Sequence, residues 1–365
     1  MTSPQAKKAS DREVTWIPVV KGALDEILLQ KSKSVHMSYA QVNLPLDLNL
    51  VVETNNPSAL MAAKKLFRFQ ERREGVRAIQ LEGSDFSEIE KYGIIENQIN
   101  SPYVGLVEED TDSVLVLGNE GGLLKSLIVG CASQIAQTRG YYCAHASACQ
   151  INGRGLMFSG GHTAGKTTAL MNLLYLAGQH NEYKVLTDDW LLVNERTEQA
   201  HSLEESLSLS TGFIQQFKYL DIIESIKDAG KNDFFWDNNE GLRPLLEVLS
   251  ALKTSLRKGK IFISPDSIYG VHTKIDSIPI DKVIIMEPAG RNDLIEPVGI
   301  EYAARSIVDS AYHMPDCNEL NRKRHLNFWL DYLKTREVLS FDSRNSMGPQ
   351  NSFIRLYNRL AGGRQ

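Results

Sequence analysis

The first third of the chain alternates polar and apolar residues with the period of β-strands. From Ser34 to Thr54 this alternation predicts two strands that separate around Pro45. Asn56-Pro57-Ser58 then predicts the start of a helix through ALMAAKKLFRFQ, because Asn and Ser are good N-caps and Pro is favoured in a first turn. Nearer the N-terminus, a short amphipathic helix is predicted for LDEILLQK.

The next segment predicts a β-hairpin followed by a helix. The hairpin strands are YVGLVEED and SVLVLGN, which lie on either side of Asp110-Thr111-Asp112. The helix is predicted for GGLLKSLIVGCASQIAQTRG and ends at Gly140, since Gly commonly follows the last turn of a helix. We interpret residues 1–138 as a smaller N-terminal α+β domain, whose role the sequence does not indicate.

Residues 139–365 change to an α/β pattern. Strands are predicted for YYCAHASACQ and GLMFSG around a turn at Asn152-Gly153, then a helix for TTALMNLLYLAG and a strand for VLTDDWLLV. Further strands are predicted for KIFIS and DKVIIME. A strand, a glycine-rich loop, a helix and a strand in this order are typical of a nucleotide-binding α/β core.

Composition and charge narrow the classes of function. Of 365 residues, 42% are hydrophobic and 23% charged, as in globular proteins with a core. The 45 acidic and 40 basic residues are mixed along the chain, so we expect no nucleic-acid partner. No apolar run approaches the roughly 20 residues of a membrane span and no signal-peptide core begins the chain, so we expect no membrane association and a cytoplasmic location. Without CxxC spacing, the four cysteines are expected to be buried apolar residues: Cys131, Cys143, Cys149 and Cys317.

The strand GLMFSG leads directly into a phosphate-binding pattern. Residues 160–167 (GGHTAGKT) match GxxxxGK[ST], and they lie between a strand and a helix, the context in which this pattern binds phosphate. Glycines let backbone N–H groups surround the phosphates, and the helix dipole adds positive potential. We therefore predict that ATP and Mg²⁺ bind here, with Lys166 on the β- and γ-phosphates and the Thr167 hydroxyl on Mg²⁺. The predicted nucleotide-binding residues are Gly160, Gly161, His162, Thr163, Ala164, Gly165, Lys166, Thr167 and Thr168.

Two further motifs carry candidate chemistry. Asp188 and Asp189 end a predicted strand; although a bare Asp-Asp is more often a solvated turn, this position favours holding a metal and accepting a proton. His145 lies in an apolar strand, where a neutral core histidine is the ordinary interpretation. If that strand runs beside the loop, His145 could instead contact the transferring phosphoryl group or tune the neighbouring acid, and spacing leaves these alternatives open.

A kinase needs a further cation to balance charge on the phosphoryl oxygens. We favour the segment from Arg257 to Lys260, although such a cluster is also typical of a solvated face. The candidates are Arg243, Arg257, Lys258, Lys260 and Arg291.

Together, these motifs in this order resemble the catalytic domain of the HPr kinase/phosphorylase family. The matching text is His145-Ala146-Ser147, Gly153 to Phe158, the loop, and Thr187-Asp188-Asp189. The similarity is strong over about residues 140 to 195 and weak over the rest of the second half. The family's glycine-rich signature after the Asp pair has no counterpart, which argues against HPr as substrate and against the reverse phosphorylase activity. In length and in its divergent first domain, the chain is similar to the HprK-related kinase B group of bacteria.

The resemblance implies a fold and a set of roles. It implies a C-terminal P-loop kinase domain of HPr kinase/PEP carboxykinase-like type, with His145 as the active-site histidine and Lys166 as the loop lysine. It further implies Asp188 as the general base, and Asp189 with Thr167 on the metal. The family's metal-binding glutamate has three candidate counterparts here, namely Glu195, Glu204 and Glu205.

We therefore expect an ATP-dependent kinase that transfers the γ-phosphate to a serine-type hydroxyl on a protein, a peptide or a small molecule. The phosphoacceptor is unidentified, and a homo-oligomer is left open. One alternative is a nucleotide-dependent switch or scaffold that hydrolyses ATP slowly. Kinship with the ATP-dependent phosphoenolpyruvate carboxykinases is less favoured, because no Lys/His set for a second metal is found.

Overall fold

The chain is mixed α/β, with helices and mixed sheets. The computed structural model describes residues 14–19, 38–44, 48–57, 60–61, 64, 69–70, 76–82, 103–108, 114–118, 124–161, 164–178, 182–210, 235–236, 260–263, 265–266, 273–287, 295–311, 319–342 and 349–361. The chain divides into two compact units. The first comprises Met1–Ala63, Phe69–Ile135 and His313–Asn318, and the second Lys64–Arg68, Ala136–Tyr312 and Glu319–Gln365.

The described strands of the first unit form one mixed sheet in the order β1-β6-β7-β5-β3-β2-β4. They are β1 (Val14–Val19), β2 (Ser38–Leu44), β3 (Leu48–Thr54), β4 (Phe69–Gln70), β5 (Val76–Glu82), β6 (Tyr103–Glu108) and β7 (Val114–Gly118). The two strands predicted around Pro45 are confirmed as the antiparallel pair β2 and β3, and the predicted hairpin as β6 and β7. Leu50 and Val52 of β3 and Ile79 of β5 are fully buried.

The helix predicted after Asn56 is confirmed only in part. The Leu60 N–H donates to the Asn56 carbonyl at 3.2 Å, as in a first helical turn. The prediction was wrong at its far end, because Phe69 and Gln70 form β4 and pair with β2. A sheet edge supplies backbone hydrogen-bond partners there, and tertiary pairing overrides the helical pattern. The helix predicted for LDEILLQK lies outside the described residues.

The predicted helix before Gly140 is present as α1 (Leu124–Thr138). Gly140 has φ of 76° and its N–H donates to the Gln137 carbonyl at 3.1 Å. An L side chain is disfavoured at that φ, which explains why the helix ends at a glycine.

The described strands of the second unit form a nine-stranded sheet and a separate three-stranded sheet. Its strands are β8 (Tyr141–Ile151), β9 (Arg154–Ser159), β10 (Tyr183–Thr187), β11 (Trp190–Asn194), β12 (Gln199–Ser202), β13 (Leu207–Ser210), β14 (Phe235–Trp236), β15 (Lys260–Ile263), β16 (Ser277–Pro279), β17 (Lys282–Met286), β18 (Ile295–Pro297) and β19 (Glu337–Phe341). The helices are α2 (Lys166–Gly178), α3 (Ile300–Ser310), α4 (Glu319–Leu333) and α5 (Pro349–Ala361).

Strand direction brings four strand ends to one edge of the large sheet. The main order is β16-β12-β11-β8-β9-β17-β19-β18, with β10 also pairing with β8. Strands β9, β17 and β19 are parallel, and β10 and β9 are both antiparallel to β8, so β10 runs in the same direction as β9. The carboxyl ends of β9, β10, β17 and β19 therefore lie at the same edge. In α/β sheets this is the edge at which ligands bind.

Both faces of this sheet are covered by helices. Along β17, Ile284 and Met286 pack in one apolar cluster with residues of α2 and α5, whereas Val283 and Ile285 pack in another with residues of α3 and α4. This alternation is the period-two pattern of a strand buried on both sides. It explains why VIIM, the text from Val283 to Met286, is continuously apolar.

One predicted strand is interrupted in the structure. The text VLTDDWLLV was interpreted as a single strand, but β10 ends at Thr187, β11 begins at Trp190, and the two aspartates form a bend between them. Both strands pair with β8, β10 with residues 148–151 and β11 with residues 141–145, so the bend lies where pairing with β8 passes from one strand to the other.

The cysteines and the search for membrane-spanning helices complete the description of the fold. Cys131, Cys143 and Cys149 are buried as expected and form no disulfide within the described ranges, whereas Cys317 lies outside them. Across the helices that the structure describes, none combines the length and apolarity required to cross a membrane.

Candidate functional site

The predicted phosphate loop joins β9 to α2 at the carboxyl edge of the sheet. Gly160 has φ of 155°, and a Cβ placed there would lie 2.7 Å from the Met286 carbonyl oxygen, so the close approach to β17 requires glycine. Gly165 also has a positive φ, 95°, and its carbonyl accepts the first helical bond of α2 from the Ala169 N–H at 2.9 Å. His162 and Thr163 lie outside the described residues.

Lys166 folds back over this loop. Its Nζ donates to the Gly160 carbonyl at 3.0 Å and to the Gly161 carbonyl at 3.1 Å, and the residue is only 6% exposed. Burial lowers the pKa of the ammonium, while the negative charges of Asp189 and Asp188 act in the opposite direction and raise it. The loop lysine and both predicted acids therefore belong to one electrostatic site.

We call the bend at Asp188 and Asp189 the acid turn. Two backbone contacts fix it against β8: the Ala146 N–H donates to the Asp189 carbonyl at 2.8 Å, and Trp190 pairs with His145. A side-chain contact closes the bend, because the Thr187 hydroxyl donates to the Trp190 carbonyl at 3.0 Å. Because β10 is parallel to β9, the acid turn lies at the same edge as the phosphate loop.

Asp188 is the more enclosed of the two acids, at 2% exposure. The Ser208 backbone N–H donates to its Oδ2 at 3.2 Å. The fully buried Ser147 hydroxyl donates to the Asp188 carbonyl at 2.5 Å and lies 3.5 Å from its Oδ1. These donors fix the orientation of the carboxylate, as expected of a buried charged group.

Asp189 forms a pair with His145. The His145 Nε2 lies 2.6 Å from the Asp189 Oδ1, and the imidazole stacks on the Trp190 ring with centroids 4.5 Å apart. On its other side, Nδ1 lies 3.2 Å from the Ser310 carbonyl oxygen at the end of α3. A carbonyl oxygen only accepts, so a hydrogen bond to Ser310 requires the imidazole proton on Nδ1. The structure thus places His145 beside an acid, not in an isolated apolar setting.

The three candidate glutamates are separated by the structure. Glu195 lies past the far end of β11, where its Oε2 accepts from the Tyr142 hydroxyl at 3.3 Å. Five strand residues at about 3.3 Å each put it roughly 16 Å along the strand from Trp190. Glu204 is instead 2% exposed and belongs to the segment 203–208 that reaches Asp188 through Ser208. Glu205, next to it, is partly exposed.

The structure also reveals acids that the sequence interpretation missed. Glu287 and Asp342 follow β17 and β19 at the phosphate-loop edge and are 7% and 2% exposed. The Glu287 Oε2 accepts from the Tyr302 hydroxyl at 3.1 Å, and its Oε1 has no hydrogen-bond partner within the described part of the chain. The terminal Glu of DKVIIME was the available signal, but it becomes informative only once β17 is known to lie beside β9.

The residues at this edge fit Mg²⁺ bound together with a nucleotide. Within the described ranges no group of three or more His, Cys, Asp or Glu side chains could hold a metal ion. Mg²⁺ in nucleotide sites commonly takes one or two carboxylates and completes its shell with phosphate oxygens and water. Thr167, partly exposed in the first turn of α2, and Asp189, with 22% of its side chain exposed, are oxygen donors of that kind.

The remaining predicted positions are located as follows. Ala164 and Gly165 directly precede α2, and Thr168 lies in its first turn, as the loop pattern requires. Among the candidate cations, Lys260 is the first residue of β15, and the other four lie outside the described residues. The structure therefore brings Lys166, Asp188, Asp189 and His145 to one edge, within the part of the chain that it describes.

Comparison with known proteins gives no assignment. A scan against models of protein families finds no match, and a search of curated proteins also finds no significant match.

Proposed function

We propose that the protein is an ATP-dependent kinase related to HPr kinase/phosphorylase, with residues 139–365 as its P-loop catalytic domain. One observation carries the proposal: the glycine-rich loop with its buried lysine, Lys166, follows β9 at the same sheet edge at which β10 ends in Asp188 and Asp189. A phosphate-binding cation and a pair of acids in one site are the elements that phosphoryl transfer needs.

The loop and its lysine serve nucleotide binding. Lys166 now donates to two loop carbonyls, and phosphate oxygens are stronger acceptors for the same ammonium. The N-terminus of α2 adds positive potential at the same point. Mg²⁺, when bound, neutralises charge on the phosphates. Thr167 and Asp189 are the residues that would hold it.

Asp188 is the proposed general base. It removes the proton from the acceptor hydroxyl while that oxygen forms a bond to the γ-phosphorus, and the bond from phosphorus to the bridging oxygen of ATP breaks. ADP leaves with that electron pair. The Ser208 N–H holds the carboxylate in a fixed orientation, and the Ser147 hydroxyl holds the Asp188 backbone carbonyl.

His145 is proposed to act through Asp189. A histidine at 2.6 Å from the carboxylate partly compensates its charge, so Asp189 is less repulsive to an incoming nucleotide. The Ser310 carbonyl and the Trp190 ring hold the imidazole in place. This contact supports the roles implied by the family resemblance, in which a histidine accompanies the Asp pair.

The phosphoacceptor is a serine-type hydroxyl on a protein, a peptide or a small molecule. Residues 1–138 are proposed as the domain that recognises it, braces the catalytic core or mediates self-association. No feature of the described residues selects among these roles.

The proposal is tested with γ-labelled ATP and Mg²⁺ in extract from the protein's own source. The parent protein should label a discrete acceptor. Lys166→Met should abolish labelling and weaken ATP binding, whereas Asp188→Asn should retain binding and lose about 10²–10⁴-fold in turnover, the usual contribution of a general base. Asp189→Asn should instead alter the Mg²⁺ dependence.

The exposed ion pair between Lys334 and Asp331 provides matched controls. Lys334→Met and Asp331→Asn make the same side-chain changes far from the acid turn and should leave labelling unchanged. Full activity of Asp188→Asn would refute the assigned base. Slow phosphate release without any labelled acceptor would favour the nucleotide-dependent switch.

A further inference from the structure

A partly buried lysine outside the phosphate loop, Lys274, reaches the acid turn from a distant part of the sequence. Residues 273–275 run beside β10: the Val185 N–H donates to the Thr273 carbonyl at 2.8 Å, and the Ile275 N–H donates to the Val185 carbonyl at 3.0 Å. Lys274 forms a parallel bridge with Val185 in the same segment. It therefore lies three residues before Asp188 along β10.

The Lys274 ammonium is bound by three protein oxygens. It donates to the Leu186 carbonyl, to the Ser202 hydroxyl at 2.9 Å and to the Glu204 carbonyl at 2.9 Å. An ammonium has three N–H donors, and three acceptors match that number. All three donors of the Lys274 ammonium are therefore used by protein oxygens. Lys166, by contrast, has two such acceptors and lies in the phosphate loop.

These contacts attach the segment 203–208 to the acid turn. Ser202 and Glu204 close a tight turn, since the Ser202 hydroxyl donates to the Glu204 carbonyl at 2.6 Å and accepts from the Glu204 N–H at 3.2 Å. The Leu203 N–H donates to the Trp190 carbonyl at 3.2 Å. At the other end of the segment, the Ser208 N–H donates to the Asp188 Oδ2.

We propose that Lys274 is a positioning residue for Asp188. It fastens the segment 203–208 to the end of β10, and that segment in turn presents the Ser208 N–H to the carboxylate. The inference rests on the proposed function for the role of Asp188, but the anchoring contacts do not depend on it. A side chain without donors at this position would leave two carbonyls and a hydroxyl without their ammonium, so the segment would separate from the acid turn.

The test compares Lys274→Met, which keeps an unbranched chain, with Lys274→Arg, which keeps the charge and the donors. In Lys274→Met the Ser208 amide should exchange with deuterium about tenfold faster, the effect of losing one hydrogen bond to a charged group. With ATP and the labelled acceptor, kcat should fall about tenfold while KM for ATP changes less than about twofold. Lys274→Arg should recover part of both, and Lys334→Met is the control for loss of a surface lysine.

Ser202→Ala provides a second variant if Lys274→Met does not fold. It removes one of the three acceptors, leaves the ammonium in place, and should accelerate Ser208 exchange by a smaller factor. Unchanged Ser208 exchange in either folded variant would overturn the inference whatever the activity. If Ser208 exchange is faster in the variants but the parent protein labels no acceptor, the anchoring role of Lys274 is established and the kinase proposal is rejected. An equal rise in KM and fall in kcat would show a general loss of structure in place of a positioning role.

Discussion

Gly155, at the start of β9, is a position where a single methyl group should disturb both stability and the phosphate loop. Its N–H donates to the Asp281 Oδ2 at 2.7 Å, and its carbonyl accepts from the Asp281 N–H at 2.8 Å. A Cβ at this position would lie 1.8 Å from the Pro279 carbonyl oxygen and 2.9 Å from its carbon, closer than the 3.0 Å below which real Cβ contacts essentially never occur. The backbones must therefore separate by at least 3.0 − 1.8 = 1.2 Å.

This separation sets the magnitude for Gly155→Ala. It breaks one neutral hydrogen bond, worth about 1 kcal/mol, and one to a carboxylate, worth about 1.5–3 kcal/mol. Alanine reduces the entropy of the unfolded chain and returns about 0.4–1 kcal/mol. The net loss of unfolding free energy is about 1.5–3.6 kcal/mol. For a unit of roughly 150–250 residues this lowers Tm by about 3–14 °C.

The assay is thermal unfolding followed by circular dichroism, together with binding of a fluorescent ATP analogue. Since β9 carries the phosphate loop, displacement of its first residues should also weaken nucleotide binding. Gly299→Ala is the matched control, because a Cβ there meets no atom within 4 Å and should cost less than about 0.5 kcal/mol. A Gly155→Ala protein that melts within about 2 °C of the parent would show that the strand adjusts freely and would refute the reasoning.

Three further changes have defined outcomes. Gly160→Ala places a Cβ against the Met286 carbonyl and should weaken nucleotide binding at least about tenfold by fluorescence titration; unchanged affinity would contradict it. Glu287→Gln replaces a buried carboxylate that has an unsatisfied oxygen, so it should raise stability by about 1 kcal/mol in urea denaturation; an unchanged or lower stability would contradict it. Hydrogen bonding to Lys282 lowers the pKa of Glu337, so its contribution is present above the ordinary value of 4.5 and is lost as pH falls through the lower folded value. Because that side chain is 35% exposed, Glu337→Gln should cost only about 0.5 kcal/mol at pH 7 and nothing at strongly acidic pH.

Local patterns predicted much of the second unit. The strands β8 and β9, the glycine-rich connection and the helix α2 follow from period, turn residues and the GxxxxGK[ST] spacing, all of which are features of contiguous text. The α/β class follows from the same order of elements. These predictions succeed because each depends on residues that are neighbours in sequence.

The features that the sequence interpretation missed depend on pairing between distant segments. The shared pairing of β10 and β11 with β8 on either side of the acid turn cannot be seen in VLTDDWLLV, because it depends on a strand earlier in the chain. Lys274 bonds to a carbonyl 88 residues earlier, and His145 to one 165 residues later. Glu287 reads as an ordinary strand end until the sheet order is known. No local period encodes such contacts.

Strand β8 has a consequence for how the sequence of this unit can vary. β10 and β11 both pair with β8. The distance between His145 and Asp189 is therefore set by strand pairing, and not by the number of residues that separate them along the chain. The connection between Gly178 and Glu182 enters β10 at the opposite end from the aspartates. Evolution can therefore lengthen or shorten that connection while the chemistry stays in register, which makes it a natural point of length variation among sequences that share this site.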